Sequence, residues 1–210
     1  MIQHIIWDWN GTLVDDAWIF VRLMNEELRN RQLPLINTQT YRKKFTFPVK
    51  KYYENLGFDF QKESFEGVGY NFIQKYKKIK HEPLLYSETI EVLTKISKLN
   101  ISQSIISAQE NTLLKESVSH YNLTHFFESI RGIDHYYADS KVEIAKKNID
   151  NLNIQKHQIL MVGDTSHDYE VASKLGVQRL LYSRGHYAKK RLKKNNCTII
   201  NDLLEVLHHL

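Results

Sequence analysis

The sequence has one cysteine and no long apolar run, and both scarcities limit the kind of protein it encodes. Cys197 is the single cysteine among 210 residues, so the chain forms no internal disulfide, and we expect a reducing, cytoplasmic location. No apolar run approaches the roughly 20 residues that a membrane-spanning helix needs. The N-terminal stretch MIQHIIWDWN lacks a basic flank and a small-residue cleavage site, so we expect no signal peptide. These absences predict a globular protein without a membrane partner.

The composition is ordinary, and the charge is only modestly one-sided. Hydrophobic residues make up 42%, charged residues 25%, and the formal net charge is +5. Much of the positive excess lies in the basic run at residues 189–194. This run contains none of the aromatic residues that stack on nucleic-acid bases. We interpret it as a solvated basic helix or loop, and we do not expect nucleic acid as a partner.

Short apolar runs alternate with helical patterns over most of the chain. The patterns predict strands at residues 2–8, 101–107, 128–132, 158–163, 178–182 and 197–200. They predict helices at residues 89–99, 111–121, 141–152, 167–175 and 203–210. Strands that alternate with helices form parallel βαβ units with right-handed crossovers. The sequence therefore predicts an α/β fold with a three-layer, Rossmann-like parallel sheet.

The alternation is interrupted directly after the first strand. From Asp15 to about His81 the apolar residues recur at helical spacing, with breaks at Pro34, Pro48 and Gly57. This stretch predicts about four helices and no strand. We therefore expect an α/β core domain at residues 1–14 and 83–210, and an inserted all-helical cap domain at residues 15–82.

Polar residues follow several of the predicted strands. Asp8 ends the first strand, Ser107 the second and Asp164 the fourth; Asp168 comes four residues later, and Lys141 opens the preceding helix. Ligands of open parallel sheets bind beyond the carboxyl ends of the strands. Carboxylates are suitable ligands for Mg²⁺, and a lysine with a metal ion offsets the charge of a phosphoryl group. The set favours phosphoryl transfer.

These residues resemble the four motifs of the haloacid dehalogenase (HAD) superfamily. The run DWNGT at residues 8–12 resembles the first motif, DxDGT. Ser107 and Lys141 resemble the second and third, and GDTSHD at residues 163–168 resembles the fourth, GDxxxD. The helical insert resembles a C1-type cap, and the pattern around Gly185 is similar to phosphoglycolate-phosphatase-like members. The resemblance covers nearly the whole chain.

The resemblance implies a Mg²⁺-dependent phosphatase that acts on a small phosphorylated substrate through an aspartyl-phosphate intermediate. Asp8 is the implied nucleophile, and the implied metal ligands are Asp8, the backbone carbonyl of Asn10, Asp164 and Asp168. The implied catalytic residues are Asp8, Asn10, Ser107 and Lys141. The implied substrate-binding residues are Gly11, Thr12, Ser107, Ala108 and Lys141. We expect a monomer or a homodimer.

Asn10 departs from the family pattern, in which an aspartate at this position protonates the leaving oxygen and later activates water. An amide is neither an acid nor a base near neutral pH, and such help is typically worth about 10²–10⁴-fold in rate. Three explanations remain open. The substrate has a good leaving group; another residue, such as Asp15, Asp16 or a cap side chain, supplies the proton; or the protein binds phosphate esters and turns them over slowly.

Position 10 also leaves other functions open. The dehalogenases of the superfamily lack an acid there, but they need no metal, and GDTSHD keeps both of its carboxylates. Phosphonate hydrolysis requires a cap lysine that forms a Schiff base, and the cap contains Lys43, Lys44, Lys50 and Lys51. A regulatory phosphate-ester-binding protein and a polynucleotide-end phosphatase are further alternatives. An acidic cluster is costly without a cation, which favours the metal-dependent enzyme.

Substrate specificity is expected to come from cap residues that face the core. The candidates are Arg22, Lys43, Lys44 and Tyr52. The aromatic segment at residues 45–48 is interpreted as packing in the cap's own core. Arg184 and His186 follow a predicted strand near the C-terminal edge, where they could approach the site, and we interpret them as part of a surface loop.

Overall fold

The computed structural model describes residues 1–133 and 141–210, and its centre is a parallel β-sheet. The strands are β1 (His4–Trp7), β2 (Val14–Asp15), β3 (Leu84–Leu85), β4 (Ser102–Glu110), β5 (Ser129–Ile133), β6 (Ile159–Gly163), β7 (Gln178–Tyr182) and β8 (Thr198–Ile200). Six of them form one sheet in the order β5-β4-β1-β6-β7-β8, with every neighbouring pair parallel. The predicted α/β fold is confirmed.

Helices connect the strands at the predicted places. They are α1 (Ala17–Asn30), α2 (Thr38–Lys44), α3 (Val49–Glu54), α4 (Phe65–Ile79), α5 (Thr89–Lys98), α6 (Asn111–His120), α7 (Lys141–Asp150), α8 (Ser166–Leu175) and α9 (Lys189–Leu192). Short 3₁₀ helices lie at Thr124–Phe126, Lys156–Gln158 and Leu203–His209. The last of these occupies the stretch where an ordinary helix was predicted. No helix in the described parts of the chain is long and apolar enough to span a membrane.

The sheet is buried on both faces, which gives the core three layers. Side chains alternate along β1: Ile5 and Trp7 belong to one hydrophobic cluster and Ile6 to another. The first cluster includes residues of α5 and α6, and the second includes residues of α7 and α8. Burying one such side chain stabilises the fold by about 1.5–3 kcal/mol. Because β1 is buried on both faces, its sequence is a near-continuous apolar run.

Helices α1–α4 pack around a hydrophobic cluster of their own. All of its buried residues lie between Ala17 and Tyr76. On α1 the buried residues Val21, Met24 and Leu28 recur at three- and four-residue spacing, which places them on one face of the helix. The chain enters this helical unit through β2 and leaves it through β3, and these two strands pair antiparallel. The prediction that this region contains no strand was wrong at Asp15, which pairs with Leu84.

The strand order determines where a ligand site forms. β1 lies between β4 and β6, and the chain builds the sheet outward from β1 in both directions. In sheets of this type the crevice at the carboxyl ends of the central strands is the usual ligand site.

Candidate active site

Three buried aspartates meet at the carboxyl ends of β1 and β6. Asp8 directly follows β1, Asp164 directly follows β6, and Asp168 lies in the first turn of α8. One carboxylate oxygen from each lies within 4.8 Å of the others. The structure thus brings together the three side chains that the sequence predicts as metal ligands.

Lys141 bridges two of these carboxylates from the start of α7. Its Nζ donates hydrogen bonds to Oδ1 of Asp8 and, at 2.6 Å, to Oδ1 of Asp168. The lysine side chain is only 2% exposed. A lysine at a helix start is commonly solvated, so its burial here reflects the two carboxylates that pair with it. The pairing leaves three carboxylates against one ammonium group.

Local structure fixes the orientation of Asp168. Its Oδ2 accepts hydrogen bonds from the backbone N–H of Thr165 at 3.0 Å and from the Thr165 hydroxyl at 2.7 Å. The backbone N–H of Asp168 in turn donates to the Thr165 hydroxyl at 3.4 Å, and the two backbone N–H bonds form a capping box at the start of α8. A Cβ at Gly163 would lie 2.3 Å from Cγ of Asp168. Gly163 is therefore needed for the close approach of Asp168 to the end of β6.

The loop after Asp8 lies behind the carboxylates. The Thr12 hydroxyl is within 3.3 Å of Oδ2 of Asp8 and 3.4 Å of Oδ1 of Asp164. The backbone N–H groups of Gly11 and Thr12 donate to carbonyls of Val14 and Trp9. Both residues are therefore engaged within the loop, and their predicted part in substrate binding stays a prediction.

Asn10 lies in the wall of the cavity and is held by Asp16. Its Nδ2 donates to Oδ2 of Asp16 at 2.5 Å and to the Tyr76 hydroxyl at 3.4 Å. Asp16 is fully buried, and its other oxygen lies 3.1 Å from Nε2 of His186. The amide of Asn10 thus donates a hydrogen bond to one oxygen of the buried Asp16 carboxylate.

Ser107 and Ala108 line the same cavity as the aspartates. Ser107 was predicted to end its strand, but β4 continues to Glu110 with an irregular register after Ile106. Its hydroxyl accepts a hydrogen bond from the N–H of Gln109 at 3.1 Å. The irregular stretch, rather than a strand end, brings Ser107 to the site.

His186 is a site residue that the sequence analysis placed on a surface loop in preference to the site. The interpretation as a surface loop is wrong for His186, which is 4% exposed, although Arg184 is exposed. Its backbone N–H donates to Oδ2 of Asp164, and its Nδ1 lies 2.7 Å from the Tyr41 hydroxyl. Gly185 permits this approach, because a Cβ there would lie 2.2 Å from Oδ2 of Asp164. In the sequence, the feature that indicated this close approach was Gly185, a glycine shortly after a predicted strand.

Burial and the excess of negative charge shift the pKa values of the acidic groups. Burial raises the pKa of Asp8 to about 6, with Lys141 acting in the opposite direction. Burial also raises the pKa of Asp164 well above its usual value. For Asp168 burial acts upward too, but Lys141 and the hydrogen bond from Thr165 together outweigh it, and the pKa is lowered. The ammonium group thus mainly favours the ionised form of Asp168.

The basic groups are shifted by the same carboxylates. Burial acts to lower the pKa of Lys141, but Asp168 and Asp8 outweigh it and the pKa is raised. Burial likewise acts to lower the pKa of His186, but nearby carboxylates, Asp16 first among them, raise it to about 9. Both groups are therefore cationic near neutral pH.

A cavity of about 700 Å³ opens above the aspartates. Its walls come largely from the helical unit and include the predicted Tyr52 together with Phe45 and Phe47. The segment at residues 45–48 thus lines the cavity as well as packing in the helical unit. The other predicted specificity residues do not line it: Arg22 pairs with Glu82 at 2.7 Å, and the two lysines, Lys43 and Lys44, are exposed.

Comparison with known proteins identifies the family. Residues 5–182 match the model of the haloacid dehalogenase-like hydrolase family. The chain therefore belongs to this family of hydrolases, as its motifs predicted.

Individual relatives agree with this assignment. A phosphoglycolate phosphatase from Rhodobacter capsulatus is 20% identical over 195 residues, which is 89% of this chain and 86% of the relative. The crystal structure of a predicted phosphatase from Clostridium acetobutylicum has a TM-score of 0.82 at 20% identity, with 100% of both chains covered. A haloacid dehalogenase-like family hydrolase from Streptococcus pneumoniae has a TM-score of 0.76 at 20% identity, covering 99% of this chain and 98% of the other. At 20% identity, the similarity to these two structures shows that the fold is shared.

Proposed function

We propose that this hydrolase is a Mg²⁺-dependent phosphatase that acts on a small phosphorylated compound through an aspartyl-phosphate on Asp8. The observation that carries the proposal is the cluster of Asp8, Asp164 and Asp168 beside Lys141. The cluster lies at the base of a cavity of about 700 Å³, which is large enough for a small-molecule substrate.

The donor set fits a magnesium ion. Three buried carboxylates face one lysine, and burying uncompensated charge costs several kcal/mol. Carboxylate oxygens are the hard ligands that Mg²⁺ prefers. Asp8, Asp164 and Asp168 would hold the ion, with the backbone carbonyl of Asn10. Bound there, Mg²⁺ would offset the negative charge of the phosphoryl oxygens.

The chain's own residues would carry out two displacements at phosphorus. A carboxylate oxygen of Asp8 forms a bond to phosphorus, while the bond to the leaving oxygen breaks and that oxygen takes the electron pair. Water then attacks the phosphorus of the aspartyl-phosphate, which releases inorganic phosphate and restores Asp8. Lys141 orients Asp8 and offsets the phosphoryl charge. Ser107 and Ala108, on the cavity wall, would contact the phosphoryl oxygens.

The source of the proton for the leaving group is a distinctive part of the proposal. Asn10 carries no acid, and neither Asp15 nor Asp16 is among the residues that line the cavity. Both ring nitrogens of His186 face other partners, Tyr41 and Asp16. The arrangement therefore favours a substrate whose leaving group departs with little help from an acid.

Helices α1–α4 would form the cap, at residues 15–82. Their side chains supply most of the cavity wall, and a cap of this kind excludes water from the reacting groups. Its ends meet at the paired strands β2 and β3, which would act as the hinge.

Two alternatives lack a supporting contact. Of the four cap lysines considered for phosphonate hydrolysis, only Lys50 lines the cavity, and its ammonium group lies over the ring of Phe60 at 5.8 Å from the centroid. In the basic run, Arg191 donates hydrogen bonds to the backbone carbonyls of Phe45 and Arg42. It is thus occupied within the protein, which gives no support to a polynucleotide site.

The proposal is tested by phosphate release from aryl and acyl phosphates, with and without Mg²⁺. The wild type is compared with Asp8→Asn and with Asp150→Asn, a control at an exposed helix end. We expect Mg²⁺-dependent release in the wild type and the control, and none above background in Asp8→Asn. Mg²⁺ should also raise the melting temperature of the wild type but not that of Asp164→Asn. Release that persists in Asp8→Asn would refute the nucleophile.

A further inference from the structure

We propose that the cavity selects aryl phosphates, which are phosphate esters of phenols, whose aromatic ring carries no further charged group. The inference rests on the proposed phosphatase and specifies its substrate class. Ten aromatic rings from α1–α4 and their connections line the cavity above Asp8, including those of Phe20, Tyr41, Phe45, Tyr52, Phe72 and Tyr76. Aromatic side chains attract flat rings by stacking and edge-to-face contact.

The rings are held in place by contacts with one another. Phe20 packs against Tyr76 with ring centroids 5.5 Å apart, and Phe45 packs against Tyr41 at 5.1 Å. His186 touches both groups, with its ring 5.2 Å from Phe20 and 5.7 Å from Phe45. Walls that are already ordered lose little conformational freedom when a ligand binds, which favours affinity.

Among the described residues that line the cavity, each cation already faces a partner within the protein. These cations are Lys141, Lys50 and His186. Lys141 is paired with two aspartates, His186 lies 3.1 Å from Asp16, and the exposed Lys50 lies over the ring of Phe60. Glu66 and Glu110 also line the cavity. A carboxylate such as that of phosphoglycolate would therefore have to replace an existing contact to reach a cation, whereas an uncharged ring would meet apolar walls.

The chemistry at position 10 points to the same substrate class. A phenol has a pKa of about 10 and is far more acidic than an aliphatic alcohol. A phenolate therefore leaves phosphorus with its electron pair and takes its proton from water afterwards, without an acid at Asn10. Aromatic walls and a missing acid are independent features, and an aryl phosphate satisfies both.

The test separates the effect of the aromatic ring from the effect of the acidity of the leaving group. Phenyl phosphate and hexafluoroisopropyl phosphate have leaving groups of similar acidity, but only the first has a ring. We expect kcat/KM to be about tenfold or more higher for phenyl phosphate, mainly through KM, with 1-naphthyl phosphate at least as good and 2-phosphoglycolate the poorest. Equal values for the two matched esters, or a preference for 2-phosphoglycolate, would overturn the inference.

Variants test whether the rings named here are responsible. Phe45→Leu and Phe20→Leu keep an apolar side chain but remove the ring, so each should lower the ratio of kcat/KM for phenyl over hexafluoroisopropyl phosphate by several-fold. Phe58→Leu is the control, because Phe58 lies in the same hydrophobic cluster but does not line the cavity. It should leave the ratio unchanged. An unchanged ratio in Phe45→Leu and Phe20→Leu, or an equal fall in Phe58→Leu, would contradict the inference.

Binding separates this inference from the proposed function. Calorimetry on Asp8→Asn should show tighter binding of 1-naphthyl phosphate than of hexafluoroisopropyl phosphate, by about tenfold or more. Phosphate release from both esters without a preference in binding would leave the phosphatase and overturn the aromatic selectivity. Preferential binding without release from any ester by the wild type would support the selectivity and overturn the phosphatase.

Discussion

At the scale of single residues, Asn10 matters because of its neighbour Asp16. The two side chains are joined at 2.5 Å, with the amide as donor and the buried carboxylate as acceptor. An aspartate at position 10, as in the family motif, would bring a second carboxylate against the first. The amide is thus the form that this environment accommodates, and the missing acid follows from the local structure of this chain.

Asn10→Asp should therefore destabilise the protein in a pH-dependent way. We expect the free energy of unfolding to fall by about 2 kcal/mol or more at pH 8, because the new carboxylate would repel that of the fully buried Asp16. The loss should shrink at pH 5, where the two carboxyl groups can share a proton. Urea unfolding at both pH values measures the effect.

The controls for this prediction separate charge from a lost hydrogen bond. Asn10→Ala removes the donor without adding charge, so its loss of stability should differ little between pH 5 and pH 8. The exchange Asn10→Asp with Asp16→Asn restores one donor and one acceptor and should recover much of the stability. If Asn10→Asp is as stable as the wild type at pH 8, the Asn10–Asp16 contact does not have the role assigned to it.

Sequence patterns identified some site residues but not others. Asp8 and Asp164 follow apolar strands, and a parallel sheet brings such positions together. The sequence did not show that His186 and Asp16 are buried and paired with each other, because their burial depends on how a loop and a helix start pack against the site. That information lies in tertiary contacts such as the Gly185–Asp164 approach, which no local pattern contains.

At the scale of elements, β1 and β4 are joined by a buried histidine. The ring nitrogens of His4 lie 2.6 Å from the Ser102 hydroxyl and 2.8 Å from the Ser104 hydroxyl. Burial lowers the pKa of His4 to about 4, so the folded protein favours its neutral form. The contact therefore links the stability of the central strands to pH.

The sign of this linkage gives a prediction. Because the pKa of His4 is lower in the folded than in the unfolded chain, its contribution is fully present above pH 6.5 or so and is lost as the pH falls toward 4. Between pH 7.5 and pH 5 the wild type should lose about 2 kcal/mol more than His4→Gln. Urea unfolding measures this, with the exposed His209→Gln as control. Equal losses in the wild type and His4→Gln would contradict the prediction.

Elements with a clear period were predictable, and short or cooperative ones were not. Strand β7 and helix α5 match their predicted ranges within one residue, because their apolar spacing depends on the layers that they contact. The pair β2–β3 has two residues in each strand, too few to show any period. The 3₁₀ geometry of Leu203–His209 differs from an ordinary helix by hydrogen bonding that composition does not encode.

At the scale of the whole molecule, Arg191 ties the helical unit to the core. Its Nη1 donates to the carbonyl of Phe45 at 2.5 Å and to that of Arg42 at 3.1 Å, and its guanidinium lies 3.5 Å from the ring centroid of Tyr187. Four other basic residues lie in the same run. Arg191 differs from them in binding the segment that contains Phe45, which lines the cavity. The interpretation as a solvated run is therefore incomplete at Arg191.

Arg191→Met should loosen the helical unit over the site. Methionine keeps the length and apolar contact but removes the hydrogen bonds, so KM for aryl phosphates should rise about three- to tenfold while kcat changes little. Steady-state kinetics measures this, with Lys190→Met in the same helix as control. An unchanged KM, or the same change in both variants, would show that Arg191 does not hold this segment.

The central claim is that Asp8 carries the phosphoryl group, and trapping the intermediate tests it most directly. The wild type and Asp8→Asn are mixed with an aryl phosphate and Mg²⁺, quenched in acid within one turnover, and digested for mass spectrometry. Our account predicts one phosphoryl group on Asp8 in the wild type, none when Mg²⁺ is removed, and none at position 8 of the variant. Turnover with no phosphorylated Asp8, or a phosphoryl group on another residue, would contradict it.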